Sequence, residues 1–257
     1  AEVDTHLRNQ LMALELAECQ QLVSPTRWQR SQLPPGAQER CTVICDGVDT
    51  DWFKPKREIK STTPLMTYGT RGMEATRGFP EFIEALPSLL NAIPELSVEI
   101  AGEDKICYSG KPPIGYSGYG AWAKDKLQPW LDRVRFVGPL DAKAYREWLQ
   151  RSWVHVYLTK PFVASWSLLE AMACACCLIA ADNPTVREFT SDQGAVLVDA
   201  WGSNKNWLRE AAQPLLDSSL ERDRLGSQAR TLSMEVGVSR CHQAWGHVLR
   251  QGLTTRA

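Results

Sequence analysis

From Leu65 onward, short apolar runs of strand length alternate with amphipathic segments. No other feature constrains the fold as much, because parallel strands need a crossover of a dozen or more residues between them, and a helix usually fills it. Leu65–Tyr68, Leu96–Ile100, Val134–Val137, Val154–Leu158, Cys177–Ala181 and Ala195–Val198 read as strands. Between the first two, Phe79, Phe82, Ile83, Leu86, Leu89, Leu90 and Ile93 form a stripe at helical spacing. Pro87 inside that stripe predicts a kink or a division into two turns. Further helices are predicted over Trp122–Leu131, after a cap at Asp141, over Ser165–Cys174 and through Trp207–Leu249. The expected fold class is α/β, a doubly wound parallel sheet.

The 257 residues leave material on both sides of this pattern. Upstream, Leu7, Leu11, Leu14 and Leu16 fall at roughly helical intervals, and Leu22 belongs to a short strand ending in a turn. Pro34, Pro35 and Gly36 form a breaker cluster, and Asp46, Gly47, Lys54, Pro55 and Lys56 mark an irregular linker. The predicted boundaries are 1–45, a linker over 46–63, a main domain over 64–215, and C-terminal helices over 216–257. The sequence begins at Ala1 without methionine and is expected to be part of a longer one.

With 29 basic and 30 acidic residues, the formal net charge is -1, so no global basic field would hold nucleic acid or an anionic bilayer. Anion binding must be local. No apolar stretch reaches the roughly 18 residues that a membrane-spanning helix needs. Cys41, Cys45, Cys107, Cys174, Cys176 and Cys177 sit in apolar segments and are expected to be reduced, in a cytoplasmic setting. Adjacent cysteines entering a buried strand do not converge on one metal ion, and His155, in a strand covered on both faces, is expected to be a hydrogen-bonded core residue. Gly115, Gly118 and Gly120 echo a dinucleotide loop, but no strand precedes them and their spacing fails that fingerprint.

In open parallel sheets, ligands gather outside the carboxyl ends of the strands, where helix N-termini and loop amides converge. Those ends carry Gly69, Thr70, Arg71 and Gly72 with Arg77 beyond; Gly102, Glu103 and Asp104; Val137 to Leu140; Thr159 to Phe162; and Asp182 with Asn183. Two arginines beside glycines suit a diphosphate, since guanidinium forks bind phosphate oxygens in pairs and glycine lets the backbone approach. A solvated loop is the alternative. Ser165, Trp166 and Ser167 open a helix whose free amides form an anion seat, and Glu170, one turn in, can accept from ribose hydroxyls or simply balance the helix dipole. The Cys107–Gly120 loop is longer than connections in compact domains and is a candidate functional segment.

Taken in order, Arg71–Gly72, Arg77–Gly78, Ala101–Glu103, Arg135–Gly138 and Ser167–Cys174 closely resemble the donor-binding half of retaining GT-B glycosyltransferases of family four, the glycosyl transferases group 1. The resemblance runs from about Leu22 to Asp199, takes in Asp46–Asp49 and Phe53–Pro55, and is most specific over Leu169–Ala180. It implies a Rossmann-like nucleotide-sugar-binding domain over 64–215, a remnant of an acceptor-side N-terminal domain over 1–45, and helices over 216–257 that pack toward that missing domain. Arg71 and Arg77 then grip the donor diphosphate, with Arg77 where many members have lysine. Glu170 matches the second glutamate of the family's E-x7-E signature and holds the ribose. Gly69, Gly72, Gly102 and Glu103 join the lining, amides near Ser165, Trp166 and Ser167 lie under the distal phosphate, and Val137 to Leu140 receive the base.

The first signature glutamate falls at Phe162. The sugar is therefore expected to be read through Ser165, Trp166 and the adjacent loop, or the fold binds a donor without turnover. Most tryptophans, such as Trp148 and Trp207, sit at core spacing, which leaves Trp166 as the candidate surface for stacking on a sugar. The implied activity is transfer of a sugar from a UDP-, GDP-, ADP- or dTDP-sugar with retention, in polysaccharide biosynthesis, with catalytic roles for Arg71, Arg77 and Glu170. The implied acceptor is a carbohydrate or lipid-linked molecule. No metal and no nucleic-acid partner are expected, and the full-length protein is expected in the cytoplasm, at the inner membrane face. The alternatives are a non-catalytic nucleotide-sugar-binding module and a GT-B sugar-nucleotide epimerase.

Overall fold

The computed structural model describes residues 2–108 and 110–254, with side chains for residues 9–108 and 110–251. The Leu7 side chain, and Ser109 in the Cys107–Gly120 loop, lie outside the described residues. The chain opens with α1 (Glu2–Glu18), β1 (Leu22–Ser24), α2 (Arg27–Ser31), α3 (Pro35–Glu39) and β2 (Cys41–Val43). The main domain alternates β3 (Leu65–Gly72), α4 (Phe79–Ala92), β4 (Ser97–Glu103), α5 (Tyr119–Lys126), β5 (Val134–Gly138), α6 (Ala142–Arg151), β6 (Val154–Tyr157), α7 (Trp166–Ala173), β7 (Cys177–Ala181), α8 (Pro184–Thr190) and β8 (Val196–Val198). It closes with α9 (Trp207–Asp217), α10 (Ser219–Met234) and α11 (Val238–Thr254).

β1 and β2 form a separate parallel pair, while the other six strands form one parallel sheet in the order β5-β4-β3-β6-β7-β8. That order places β3, β4 and β5 on one side of a reversal and β6, β7 and β8 on the other. The reversal at β3/β6 is the topological switch point, where a crevice opens beyond the strand ends. The central strands β6 and β7 are buried throughout, and their side chains alternate between two cores, as the two-residue side-chain period requires. Cys177, Ile179 and Ala181 of β7 join the core under α4, α5 and α9, while Leu178 and Ala180 join the one under α6, α7 and α8.

His155 is buried, its Nδ1 lying 2.8 Å from the Thr67 hydroxyl, which also meets the Ser152 hydroxyl at 2.7 Å. Burial lowers its pKa to about 3, so the imidazole stays neutral. This is a core residue, as expected. All eight cysteines are free thiols, and burial pushes Cys176 and Cys177 up to about 12. Among the described residues no group of His, Cys, Asp and Glu could hold a metal ion, and no helix is long and apolar enough to cross a membrane.

Several local expectations need correcting. Pro87 does not divide α4, which runs unbroken from Phe79 to Ala92. Seven buried side chains on one face of that helix outweigh a lost hydrogen bond and a proline clash of about 3 kcal/mol. The breaker cluster at Pro34–Gly36 instead starts α3, with Pro35 in its first turn, where proline lacks no needed N–H. The helix expected over Trp122–Leu131 begins earlier, at Tyr119, and ends at Lys126. Its start is set by Asp104, whose carboxylate accepts the Gly120 and Ala121 amides at 2.7 and 3.0 Å. In α1, Leu11 and Leu14 face solvent.

Candidate functional site

A cleft of about 280 Å³ opens at the switch point. Four strand ends and one helix start build its walls, with Pro139 and Leu140 coming from the end of β5. β3 contributes Gly69, Thr70 and Arg71, β4 contributes Ala101, Gly102 and Glu103, and β6 leads into Leu158 and Thr159. The first turn of α7 supplies Ser165, Ser167 and Glu170. Arg77, from the turn between β3 and α4, closes the ring.

Arg71 and Arg77 thus share one cavity with the start of α7. Their preorganisation differs. Arg77 is held: its guanidinium lies 5.0 Å over the Tyr108 ring, its Nη1 donates to the Thr159 hydroxyl over a long 3.5 Å, and its carbonyl accepts from the Tyr68 hydroxyl at 2.8 Å. Gly78 follows at φ +69, and a Cβ there would meet the Leu158 Cβ at 2.4 Å, so the turn carrying Arg77 sits directly against the end of β6. Arg71 is exposed and has no salt-bridge partner among the described residues.

The Tyr108 side of this arrangement is also fixed. Glu74 is fully buried, and its Oε2 accepts the Cys107 and Tyr108 amides at 2.9 Å each. The loop after β4 is therefore pinned at one end by Glu74 and at the other by Asp104. Gly102 has φ +130, and a Cβ there would lie 1.9 Å from the Thr70 carbonyl oxygen, so β3 and β4 approach at the cleft as only glycine allows.

No side chain caps α7, so its first amides remain available beside the Ser165 and Ser167 hydroxyls, which lie 2.8 Å apart. The Ser165 amide itself donates to the Tyr157 hydroxyl at 3.3 Å. Burial raises the Glu170 carboxyl above its ordinary value, partly offset by the neighbouring Tyr145 hydroxyl, which has no well-formed hydrogen bond of its own. A buried carboxyl with a raised pKa holds its proton more tightly in the folded chain than in the unfolded one. Its ionisation therefore costs stability as pH rises from the ordinary glutamate value of about 4.3. Glu170→Gln is expected to melt at a higher temperature than the parent at pH 7, with the gap closing below about pH 4. Thermal melts of both chains across that range check it.

Most of the residues expected at the site lie together, but three do not line the cleft. Gly72 packs instead under the loop after β4, where a Cβ would meet the Lys105 carbonyl at 2.6 Å. Val137 lines an adjoining cavity that shares Leu140 with the cleft. The Trp166 indole is 63% exposed and donates to the Asp46 carboxylate at 2.8 Å, tying the start of α7 to the linker. Phe162 is exposed as well and meets Tyr108 with ring centroids 6.2 Å apart. Thr159, named among the strand ends, does line the cleft, while sequence reading missed Tyr145 and Tyr157. Tyr157 and Thr159 continue a strand whose end was already suspect, whereas Tyr145 reaches the cleft only through the packing of α6.

An open parallel sheet with a cleft at its switch point, lined by two arginines and an uncapped helix start, is a doubly wound α/β domain, the fold found in GT-B glycosyltransferases. The chain belongs to the glycosyl transferases group 1 family, which it matches over residues 65–217, and residues 1–53 match the glycosyl transferase family 4 group. No curated protein matches it in sequence. Among solved structures it is similar to sucrose-phosphate synthase from Thermosynechococcus elongatus, with 20% identity, 97% of this chain and 62% of that one covered, and a TM-score of 0.77. A glycosyltransferase from Rickettsia africae follows at 13% identity, 91% and 64% coverage, and a TM-score of 0.76. Anabaena HepE in complex with UDP-glucose aligns at 14% identity, 93% and 66% coverage, and a TM-score of 0.76. At these identities the likeness is one of fold, and the chain spans less than two thirds of each of these proteins.

Proposed function

We propose that this chain is the donor-binding half of a glycosyltransferase that moves a sugar from a nucleotide-sugar donor to a carbohydrate or lipid-linked acceptor with retention at the anomeric carbon. The observation that carries this reading is the convergence of Arg71, Arg77, the uncapped start of α7 and Glu170 on one cleft at the switch point. Breaking the glycosyl bond develops positive charge on the sugar and negative charge on the departing diphosphate. Arg71, Arg77 and the α7 amides would neutralise the latter, and groups already oriented need no reorganisation to do so. Glu170 would accept the ribose hydroxyls. The base would lie toward Pro139 and Leu140. UDP is the first nucleotide to test, since HepE, a fold relative, is described in complex with UDP and with UDP-glucose.

Residues 1–45 would be the end of an acceptor-side domain, the linker over 46–63 would join it to the donor side, and the helices after 216 would pack toward it, in a cytoplasmic protein. Because two cations face the diphosphate, binding should not need a metal. Calorimetric titration with UDP, GDP, ADP and dTDP, with and without chelator, tests the proposal. One nucleotide binding in the micromolar range, unaffected by chelator, is expected; no binding tighter than about 1 mM would overturn it. Phe162, in place of a carboxylate, favours a second reading, a module that binds a donor without turnover. A longer chain that binds a nucleotide sugar yet neither hydrolyses nor transfers it would establish that reading instead.

A further inference from the structure

A second cavity, of about 390 Å³, lies near the amino-terminal ends of β6 and β7, at the opposite end of the strands from the cleft, beside the end of α6 and the approach to β7. Lys56, Arg57 and Lys60 of the linker and Arg230 of α10 line it, and Asp223 is the only acidic lining residue among the described residues. In a chain with a net charge of -1, that is a strong local excess of positive charge.

Part of this excess has a structural explanation. α6 and α7 both end nearby, and helix C-termini favour cations. Arg230 answers α7 directly, donating to the carbonyls of Ala173, Phe53 and Thr50 at 2.8 to 2.9 Å and so fastening the linker to the domain. Lys56, Arg57 and Lys60 have no such task. Their side chains make no ion pair or hydrogen bond among the described residues.

Gln150 supplies a second, independent observation. It is 5% exposed and lines the same cavity. Its Nε2 donates to the Lys54 carbonyl at 2.5 Å, which fixes the orientation of the amide, and its Oε1 is then buried with no donor. A buried acceptor left unpaired is costly, so a ligand that donates a hydrogen bond would be favoured there. A bare anion satisfies the three linker cations but leaves Gln150 Oε1 unpaired. A phosphate ester that also carries hydroxyls satisfies both.

We propose that this cavity binds a phosphorylated polyol, with its phosphate among Lys56, Arg57 and Lys60 and a hydroxyl donating to Gln150. The ligand chemistry can come from a soluble sugar or glycerol phosphate or from a glycerophosphate lipid headgroup. The site is separate from the cleft at the switch point and does not rest on the role assigned to that cleft.

Calorimetry on the 257-residue chain, using inorganic phosphate, glycerol 1-phosphate and glucose 6-phosphate, tests the proposal, together with sedimentation on phosphatidylglycerol and phosphatidylcholine vesicles. At least one ester, or the phosphatidylglycerol vesicle, should bind about tenfold or more tightly than inorganic phosphate or the phosphatidylcholine vesicle. A soluble ester as the better probe assigns the source to a metabolite, and the vesicle assigns it to a headgroup. Lys56→Ala with Lys60→Ala should weaken that binding about tenfold, while Gln150→Leu should remove the preference for the ester over inorganic phosphate. Saturating UDP and the Arg77→Ala substitution should leave it unchanged. The proposal is overturned if no probe binds below about 10 mM, if the double lysine variant binds as the parent does, or if UDP competes.

Discussion

Arg77→Ala is expected to weaken nucleoside diphosphate binding by about 10-fold to 100-fold, the loss typical of a hydrogen bond to a charged group. In a longer chain competent for transfer, it is expected to lower kcat by about 10²-fold to 10³-fold, as removal of one preorganised donor to a developing anion does. The held geometry of Arg77 is the reason. Its guanidinium is already stacked on Tyr108 and positioned at Thr159 before any ligand arrives, so little entropy is lost on binding. Arg77→Lys keeps the charge and should retain most of the affinity, whereas Arg77→Met keeps bulk without charge and should not. Arg71 is exposed without a salt-bridge partner among the described residues, so Arg71→Ala is expected to cost less in affinity than Arg77→Ala. Titrating all four variants with the nucleotide that the parent binds checks the order. Equal affinity in Arg77→Ala and the parent would remove Arg77 from the site.

The second large effect is on the fold beneath the cleft. Gly102→Ala places a methyl 1.9 Å from the Thr70 carbonyl oxygen at a backbone φ of +130, where a side chain is strained even without a neighbour. Strain and overpacking together are expected to cost about 3 to 6 kcal/mol, or roughly 10 °C or more in Tm for a chain of this size. Thr70 and Gly102 both line the cleft, so nucleotide binding should fall along with stability. Gly36→Ala is the control. A Cβ there meets nothing within 4 Å, and its Tm should move by less than the equivalent of about 1 kcal/mol. Thermal melts of the two variants separate a local clash from a general intolerance of alanine for glycine.

Both predictions depend on features with different visibility in the sequence. The positions of Arg71, Arg77 and Glu170 were legible, because strand ends can be located from apolar runs and ligands gather at those ends. The Asp141 cap was legible too, and its carboxylate accepts the Ala144 amide at 2.8 Å. Asn183 followed by Pro184 carries the same kind of start signal for α8, with the Asn183 side chain accepting the Val186 amide at 3.0 Å, although no helix was expected there. By contrast, nothing local marks Tyr119 as the start of α5, since its cap is a carboxylate from the far side of a long loop. The clamp by Glu74 is equally invisible, because an acidic residue in a turn ordinarily reads as solvated.

Trp166 shows the same division at the site itself. Its type and position suited stacking on a sugar, yet its indole is bonded to Asp46 from the linker. A side chain's partner depends on which distant segment passes by, and spacing along one element does not record that.

Periodicity, caps and breakers act over a few residues, so the six main strands, most of the helices between them and the residues at the strand ends are readable from the chain alone, while α3, α8 and the start of α5 are not. Only the tertiary structure decided that Arg71, Arg77 and the start of α7 share one cleft, that Tyr145 joins them, and that the linker cations gather around Gln150. Those meetings arise from the pairing of β3 with β6 and the packing of helices across the sheet, and such contacts form between groups far apart in the chain.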